Sequence, residues 1–476
     1  MTNEQTPINK PQVLVAGAGL AGVTAAHHLA EWGAQVHLVD IAPYIGGAFL
    51  FVDHTFTTDS CGLCIALPRQ PSYCPTIASE LHPHITPFPC TRLVALEEQT
   101  DHPSKSLGHR PSTSSTRLSR SGHCFVATLR REPCYVEADL CDNCGACAAV
   151  CPVTRPNPYD GELSMQTAIY APPLCAVPLA YGLDPETCTR CGACVEVCPH
   201  GAIDLEATPV EEQIEADAVV LAPGFAFFDA THAAEYGWTR CPNVLTNLQF
   251  ERMLSRPGPT GGRVLRPSDG EVPRRLAFIH CVGSRNESLG RPYCSTSCCM
   301  ITAKQVGLAK EIVPEAEMTV FTMDVRAAGK GYERYFQRVA ALPGVEYRRG
   351  MVSAVQNVPG TQNLRLLTPD GEEEYDLVVL AVGLGPVGGL QQLATCAGVA
   401  LDEHGFVLPG RDGPGTTSRP GVFAIGANLP HVDVPETVTQ ATGAAALAAR
   451  LLVQYGSDKT SEVFGQAVES KIGLKL

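Results

Sequence analysis

Val13-Leu14-Val15-Ala16-Gly17-Ala18-Gly19-Leu20-Ala21-Gly22 decides the fold, because a short apolar run stops there on three glycines in the spacing G-x-G-x-x-G. The next residues, VTAAHHLAEWG, are helix-like, and QVHLVD reads as a second strand closing on Asp40. Strand, glycine loop, helix and strand make a βαβ unit. Gly17 permits the tight turn, Gly19 lets backbone approach a pyrophosphate at the helix N-terminus, and Gly22 lets helix and strand pack closely. Asp40 stands 23 residues beyond Gly17, near the roughly 20 at which an acid takes the ribose hydroxyls. The unit predicts a dinucleotide site built from Gly17, Ala18, Gly19, Leu20, Ala21, Gly22 and Asp40.

Further along, AVVLAPG, ending Ala222-Pro223-Gly224, and GVFAIGAN, ending Gly426-Ala427-Asn428, are strands that stop on a glycine. Both are expected to return the chain to the first sheet. An Ala-rich helix is expected from Thr437 to Leu452, with the positive end of its dipole toward the cofactor. Between these strands, from Arg274, RRLAFIHCVGSR, AEMTVFTMDVR and YDLVVLAVG read as strands of a second dinucleotide-like domain. Its glycine fingerprint is missing. The turn reads Cys281-Val-Gly283-Ser, and Cys294, Cys298 and Cys299 follow before the helix MITAKQVGLAKEI. Backbone amides in that turn cannot cradle a pyrophosphate in the usual way, so this domain is expected not to bind NAD(P). Spacing C-x12-C-x3-C-C is irregular: on spacing alone the four thiols are ligands of a [4Fe–4S] cluster or inert buried cysteines.

The remaining cysteine pattern is regular. Cys141, Cys144, Cys147 and Cys151 precede Pro152 as C-x2-C-x2-C-x3-C-P, and Cys188, Cys191, Cys194 and Cys198 repeat it before Pro199. Three thiolates of such a run wrap one [4Fe–4S] cluster while the fourth reaches the other cluster of the pair. Cys198 is thus assigned to the cluster of Cys141, Cys144 and Cys147, and Cys151 to that of Cys188, Cys191 and Cys194. Zinc needs four ligands per site and has no use for the repeated Cys-Pro. The proline-rich spacer from Val153 to Glu186 reads as a surface excursion, and His102 to Gly122 as a mobile loop. Cys61, Cys64, Cys74 and Cys90 fit no template, and Cys124, Cys134, Cys175, Cys241 and Cys396 are scattered.

The 476 residues, 45% of them apolar, suffice for two or three domains. A net charge of -14 with no long basic run argues against nucleic acid as a partner. No export signal and no apolar window long enough for a membrane span are seen, so 21 cysteines read as reduced thiols available to metal in a cytoplasmic protein.

Gly46-Gly47 after the second strand resembles the FAD-binding form of this unit in two-dinucleotide-domain flavoproteins of the thioredoxin reductase kind, which implies FAD. Where such proteins end the last strand in Gly-Asp, this chain has Ala427 and Asn428. More specifically, AFIHCVGSRNESLGRPYCSTSCCMITAK, YVEADLCDNCGACAAVCPV, VVLAPGFAFFDA, PNVLTNLQFERMLS, MDVRAAGKGYE and GANLPHVDVPETVTQA are similar, in order, to blocks of the heterodisulfide reductase A-type chains. The likeness runs from about Gln12 to Leu452.

That resemblance implies an α/β two-dinucleotide-domain flavoprotein with an inserted bacterial-type two-cluster ferredoxin domain. The segments would be 1–135, FAD-binding; 136–207, ferredoxin; 208–272, FAD-binding again; 273–385, the second dinucleotide-like domain; and 386–476, the FAD-domain return and tail. It implies a third [4Fe–4S] cluster on Cys281, Cys294, Cys298 and Cys299, and places Lys304 near the flavin ring, where an ammonium favours a reduced, anionic flavin. The implied function is electron transfer between FAD and clusters within an oligomeric complex. Its partners would be heterodisulfide reductase B- and C-like subunits, with a hydrogenase or formate dehydrogenase and its iron–sulfur adaptor. Flavin-based bifurcation belongs to the same resemblance, but the compact form, with fewer cluster modules, leaves fewer electron exits for it. The alternative is a self-contained NAD(P)H-dependent iron–sulfur flavin oxidoreductase like the small subunit of glutamate synthase. There the cysteines precede the first glycine motif, whereas here they follow it.

Overall fold

Strand β1 (Gln12–Ala16) is buried on both faces, as a run without polar alternation must be in a parallel sheet. Helix α1 (Leu20–Glu31) crosses back to β2 (Gln35–Val39), which pairs parallel with β1. On the outer side of β2 lies β3 (Ile85–Phe88), and on the far side of β1 lie the strands Ala218–Leu221 and then Val422–Ala424, all parallel. Both glycine-ended strands thus return to the first sheet. The computed structural model describes residues 10–52, 54–55, 82–99, 124–173, 176–413, 415–426, 433–454, 465–466 and 468–470. The expected loop at His102 to Gly122 lies outside them, as do Ala427, Asn428, Cys61, Cys64, Cys74 and Cys175.

The alanine-rich helix begins at Val434, a little before its expected start, and runs to Gln454. Ala441, Ala444, Ala445, Ala448 and Ala449 are fully buried in the core that includes Ala25, Ala26 and Leu29 of α1. Small side chains let two helix backbones come close, which explains the composition.

The same plan occurs a second time. Arg275–Val282 takes the central place of β1, flanked by Glu317–Thr322 and Val345–Arg349 on one side and Leu377–Val382 and Val244–Thr246 on the other, again all parallel. Helix Cys298–Ile312 follows the central strand as α1 follows β1. Each sheet carries a three-stranded antiparallel ladder: β4 (Thr91–Gln99), β5 (Cys124–Arg131) and Val210–Ala216 for the first, and Ala354–Asn357, Leu364–Thr368 and Gly371–Tyr375 for the second.

Between β5 and Val210 the chain leaves to build a small body. Its core holds Val136, Cys147, Ile169, Cys194, Ala202, Ile203 and Leu205. The spacer from Val153 to Glu186 differs from its expected surface course. Ile169, Tyr170, Ala176 and Val177 are buried, Val177 bridges to Ile45, and Tyr44 donates its hydroxyl hydrogen to the Ala180 carbonyl at 3.0 Å. Two short antiparallel ladders, Thr154–Pro156 with Met165–Thr167 and Ile169–Tyr170 with Gly182–Leu183, form between the prolines, and the apolar residues among them cover a surface. Gln249, in a helix (Asn247–Leu254) capped by Thr246, donates to the Gly161 carbonyl at 2.7 Å and ties the spacer to the second sheet. Among the described residues no helix is long and apolar enough to cross a membrane.

Candidate cofactor sites

At the C-terminal edge of the first sheet the glycine loop is fixed by contact. Gly17 has φ +113°, and a Cβ there would lie 2.0 Å from the Ala222 carbonyl oxygen; one on Gly22 would lie 1.7 Å from the Gly17 oxygen. Gly47, at φ +56°, passes so close to Gly19 that a Cβ on it would stand 2.8 Å from the Gly19 Cα. The Gly46 N–H donates to the Ala18 carbonyl at 2.9 Å, and a Cβ on Gly426 would touch the Ala21 methyl at 2.9 Å. Gly17, Ala18, Gly19, Ala21, Gly22, Gly46, Gly47, Ala222 and Gly426 are thereby gathered into one cradle. Leu20 opens α1 with its side chain buried against Phe49, and Pro223 and Gly224 continue the rim from Ala222.

Asp40 closes the cradle. Its Oδ2 accepts from the Ala18 N–H at 2.6 Å and its Oδ1 from the Ala42 N–H at 2.8 Å. Burial pushes its carboxyl above the ordinary carboxylate range, and these backbone donors together with Ile41 pull it back. A bare helix N-terminus, a loop free of Cβ atoms and an acid at the second strand suit a dinucleotide pyrophosphate and its ribose. Gly17→Ala is expected to purify without bound FAD, measured as flavin absorbance per chain, because its methyl overlaps the Ala222 carbonyl.

In the inserted body, Gly145 and Gly192, at φ +83° and +80°, open the short helices Ala146–Ala149 and Ala193–Val197. These bring the cysteines into two crossed groups. One hollow is lined by Cys141, Cys144, Cys147 and Cys198, the other by Cys188, Cys191, Cys194 and Cys151. Each encloses about 320 Å³ between atoms, part of it open to solvent. Cys147 and Cys194 lie inside while Cys144 and Cys191 are exposed. Burial pushes the Cys147 thiol up to about 11 and raises that of Cys194; bound iron reverses such a shift, since a coordinated thiol is deprotonated outright. N–H groups already face two of the sulfurs, Ala202 toward Cys198 at 3.3 Å and Arg190 toward Cys188 at 3.4 Å. Such bonds to sulfur tune a cluster's potential.

Among the described residues no three His, Cys, Asp or Glu side chains close on one point as a single metal ion requires. A cubane differs, since its ligands stand at separated corners. The crossing yields a test: Cys198→Ser is expected to give the electron paramagnetic resonance change of Cys141→Ser, not that of Cys188→Ser, although Cys198 and Cys188 share one sequence motif.

The third group sits where a pyrophosphate loop would be. Cys281 is the penultimate residue of the central strand, at φ +61° beside a break in strand register between Ile279 and Val282, and Cys298 and Cys299 are the first two residues of the following helix. The four thiols lie within electrostatic reach: Cys294 acts on Cys281, and both act on Cys298 and Cys299. Burial raises all the shifted thiols of this group, Cys298 far above the ordinary range and Cys299 to about 11. The Thr296 N–H faces the Cys294 sulfur at 3.3 Å, and His280 Nδ1 stands 3.9 Å from the Cys299 sulfur and 3.1 Å from Thr322 Oγ1. Burial pushes the His280 ring down to about 4, so it is neutral at pH 7.

Lys304, on the same helix, is 5% exposed and therefore no surface lysine. Its ammonium donates to the His54 carbonyl at 3.0 Å and forms an ion pair with the buried Glu251. Gln305 donates to the other oxygen of Glu251 at 2.9 Å and to the Asn247 carbonyl at 2.7 Å. Sequence reading missed Glu251 and Gln305, since each is one polar residue in an otherwise ordinary helix.

The paired parallel sheets, the glycine cradle and the crossed cysteine groups define an α/β iron–sulfur flavoprotein of the oxidoreductase class, with two dinucleotide-type domains and a ferredoxin insertion. Residues 140–203 match the 4Fe-4S dicluster domain, 299–445 the pyridine nucleotide-disulphide oxidoreductase family, and 15–68 the NAD(P)-binding Rossmann-like domain. Within that class the chain is similar to the A chains of heterodisulfide reductases. It is 36% identical over 450 residues to the A chain of the H(2):CoB-CoM heterodisulfide,ferredoxin reductase of Methanothermobacter marburgensis, covering 93% of this chain and 64% of that one. It is 39% identical over 447 residues to the first of two iron-sulfur A chains of the CoB–CoM heterodisulfide reductase of Methanopyrus kandleri, covering 91% and 63%. The chain thus spans a little under two thirds of the length of these relatives. Among solved structures, a thioredoxin reductase from Lactococcus lactis overlays 94% of this chain and all of its own at 12% identity and a TM-score of 0.46.

Proposed function

We propose that this chain is the flavin-bearing electron hub of a cytoplasmic heterodisulfide reductase-like complex, relaying electrons between FAD, a cluster on the Cys281 group, the ferredoxin pair and partner subunits. One observation carries the reading. Helix Cys298–Ile312 bears two cysteines of the third group at its start and, within two turns, Lys304, whose ammonium reaches the carbonyl of His54 shortly after the Gly46-Gly47 segment. One helix therefore joins the third cysteine group to the segment that follows the Gly46-Gly47 turn of the flavin cradle.

When bound, FAD exchanges electrons singly or in pairs and each cluster exchanges one at a time. The chain's own residues do the rest. Gly17 to Gly22, Gly46, Gly47, Ala222 to Gly224 and Gly426 present backbone to the dinucleotide, and Asp40 receives its ribose. Ala427 and Asn428, which follow Gly426, are assigned to the same rim. Cys141, Cys144, Cys147 and Cys198 hold one cluster, Cys188, Cys191, Cys194 and Cys151 the second, and Cys281, Cys294, Cys298 and Cys299 the third. Exposed Cys144 and Cys191 put the ferredoxin pair at the surface, where heterodisulfide reductase B- and C-like subunits, or a hydrogenase or formate dehydrogenase through its adaptor, would take or give electrons. Bifurcation at the flavin is the most demanding version of this relay. It needs two electron exits of different potential, and the third group and the ferredoxin pair supply two.

Anaerobic purification followed by iron, sulfide and flavin analysis tests the reading. About twelve irons and one FAD per chain support three cubanes, and about eight return the Cys281 group to inert thiols. NADH and NADPH are expected to leave the flavin oxidised in anaerobic rapid mixing, because Cys281-Val-Gly283-Ser replaces the second glycine motif. Rapid bleaching would instead favour the self-contained NAD(P)H oxidoreductase.

A further inference from the structure

His280 is fully buried on the central strand of the second sheet, next in sequence to Cys281. Ile279 pairs with Phe321 on the neighbouring strand, so His280 and Thr322 stand side by side. Their hydrogen bonds fix which ring nitrogen carries the proton. The Thr322 hydroxyl donates its one hydrogen to the Asp324 carbonyl at 2.7 Å, and its oxygen lies 3.1 Å from His280 Nδ1. With that hydrogen spent, Thr322 Oγ1 can only accept, so His280 Nδ1 is the N–H donor. Asp324 is itself held in place by an ion pair with Arg285. On the far side of the ring, Nε2 is buried without a partner among the described residues, as suits a neutral imidazole. The same Nδ1 stands 3.9 Å from the Cys299 sulfur, within reach of a hydrogen bond to that large atom.

We propose that His280 is a positioning residue for electron flow: its Nδ1–H, shared between Thr322 and the Cys299 sulfur, raises the reduction potential of the cluster on the Cys281 group. The role rests on that group holding a cluster, and it adds what sets the cluster's level in the relay. Burial creates the need for it. Cys298 and Cys299 are buried, whereas Cys144 and Cys191 of the ferredoxin pair are exposed. An electron arriving at the third group adds negative charge where water is scarce, and this lowers the potential. A fixed N–H aimed at a ligand sulfur replaces the missing solvent, and its bond strengthens as the sulfur gains charge. Backbone N–H groups face Cys188, Cys198 and Cys294. The donor facing Cys299 is a side chain instead, so a substitution removes it without touching the backbone.

The test uses the full chain with its cofactors, reduced by dithionite under anaerobic conditions, and follows the electron paramagnetic resonance signal that Cys298→Ala abolishes. His280→Phe keeps a buried ring and removes the N–H. Its third cluster is expected to be about tenfold less favoured as an electron acceptor from the flavin, or about 59 mV lower for a one-electron couple. Iron per chain and the potentials of the flavin and the ferredoxin pair are expected to stay. His280→Gln restores an N–H and is expected to recover part of the shift. A measurement on the parent protein needs no variant to fold: with nitrogen-15 histidine incorporated, the same signal is expected to carry a nitrogen-15 coupling, and His280→Gln to lose it. An unshifted potential in an iron-replete His280→Phe protein, or a parent signal without that coupling, overturns the role of His280 and leaves the relay intact. About eight irons per chain in the parent removes the third cluster, and the role of His280 with it.

Discussion

Cys298→Ala is expected to lower the iron content by about four per chain while FAD and the ferredoxin irons stay. Cys298 is buried at the first position of its helix and faces the Val382 carbonyl at 3.8 Å, so no solvent molecule readily takes its place as ligand. Three remaining thiols cannot complete a cubane there, whereas neither the glycine cradle nor the inserted body shares an atom with them. Cys241→Ala is the matching control. Cys241 is equally buried, in the core with Tyr236 and Val244, but as a lone small hydrophobe its truncation costs only about 1 kcal/mol and no iron. If Cys298→Ala behaves like Cys241→Ala, the Cys281 group is inert.

The features legible in the sequence were those set by local rules. The spacing of Gly17, Gly19 and Gly22 encodes a turn whose geometry depends on the next few residues, and the structure gives Gly17 and Gly22 the close backbone approach that spacing requires. The crossing of Cys151 and Cys198 was legible because a short loop and a helix fix where each thiol can reach. The central strands of both parallel sheets announced themselves as apolar runs, whereas the strands Ile85–Phe88, Val244–Thr246 and Val345–Arg349 did not. Contacts between distant segments were not legible. Nothing in NLQFERML marks Glu251 as the partner of Lys304, because that pairing depends on how two helices of the second domain pack. The spacer after Val153 was misread because proline content does not tell whether the chain is buried, and short ladders form between its prolines.

The Lys304–Glu251 pair carries the last expected result. Lys304→Met leaves a buried carboxylate to the Gln305 amide, a neutral donor, and breaking a buried pair in this way costs about 3–5 kcal/mol. The loss is read from the denaturant midpoint for flavin release. Lys304→Met with Glu251→Leu removes both charges together, and such replacements are often neutral, so most of that stability is expected to return. Stability alone does not separate a packing role from an electrostatic one; the flavin midpoint potential does. With the pair intact the two charges nearly cancel. Lys304→Met leaves a net negative charge beside the flavin cradle, which opposes the arrival of electrons, so the potential is expected to fall. Glu251→Gln leaves the ammonium uncompensated and is expected to raise it, and the double variant is expected to return close to the parent value. Opposite shifts in the two single variants with recovery in the double would establish that Lys304 acts on the flavin by its charge. Equal potentials in all four proteins would leave the pair as a structural clamp between the second domain and the segment at His54.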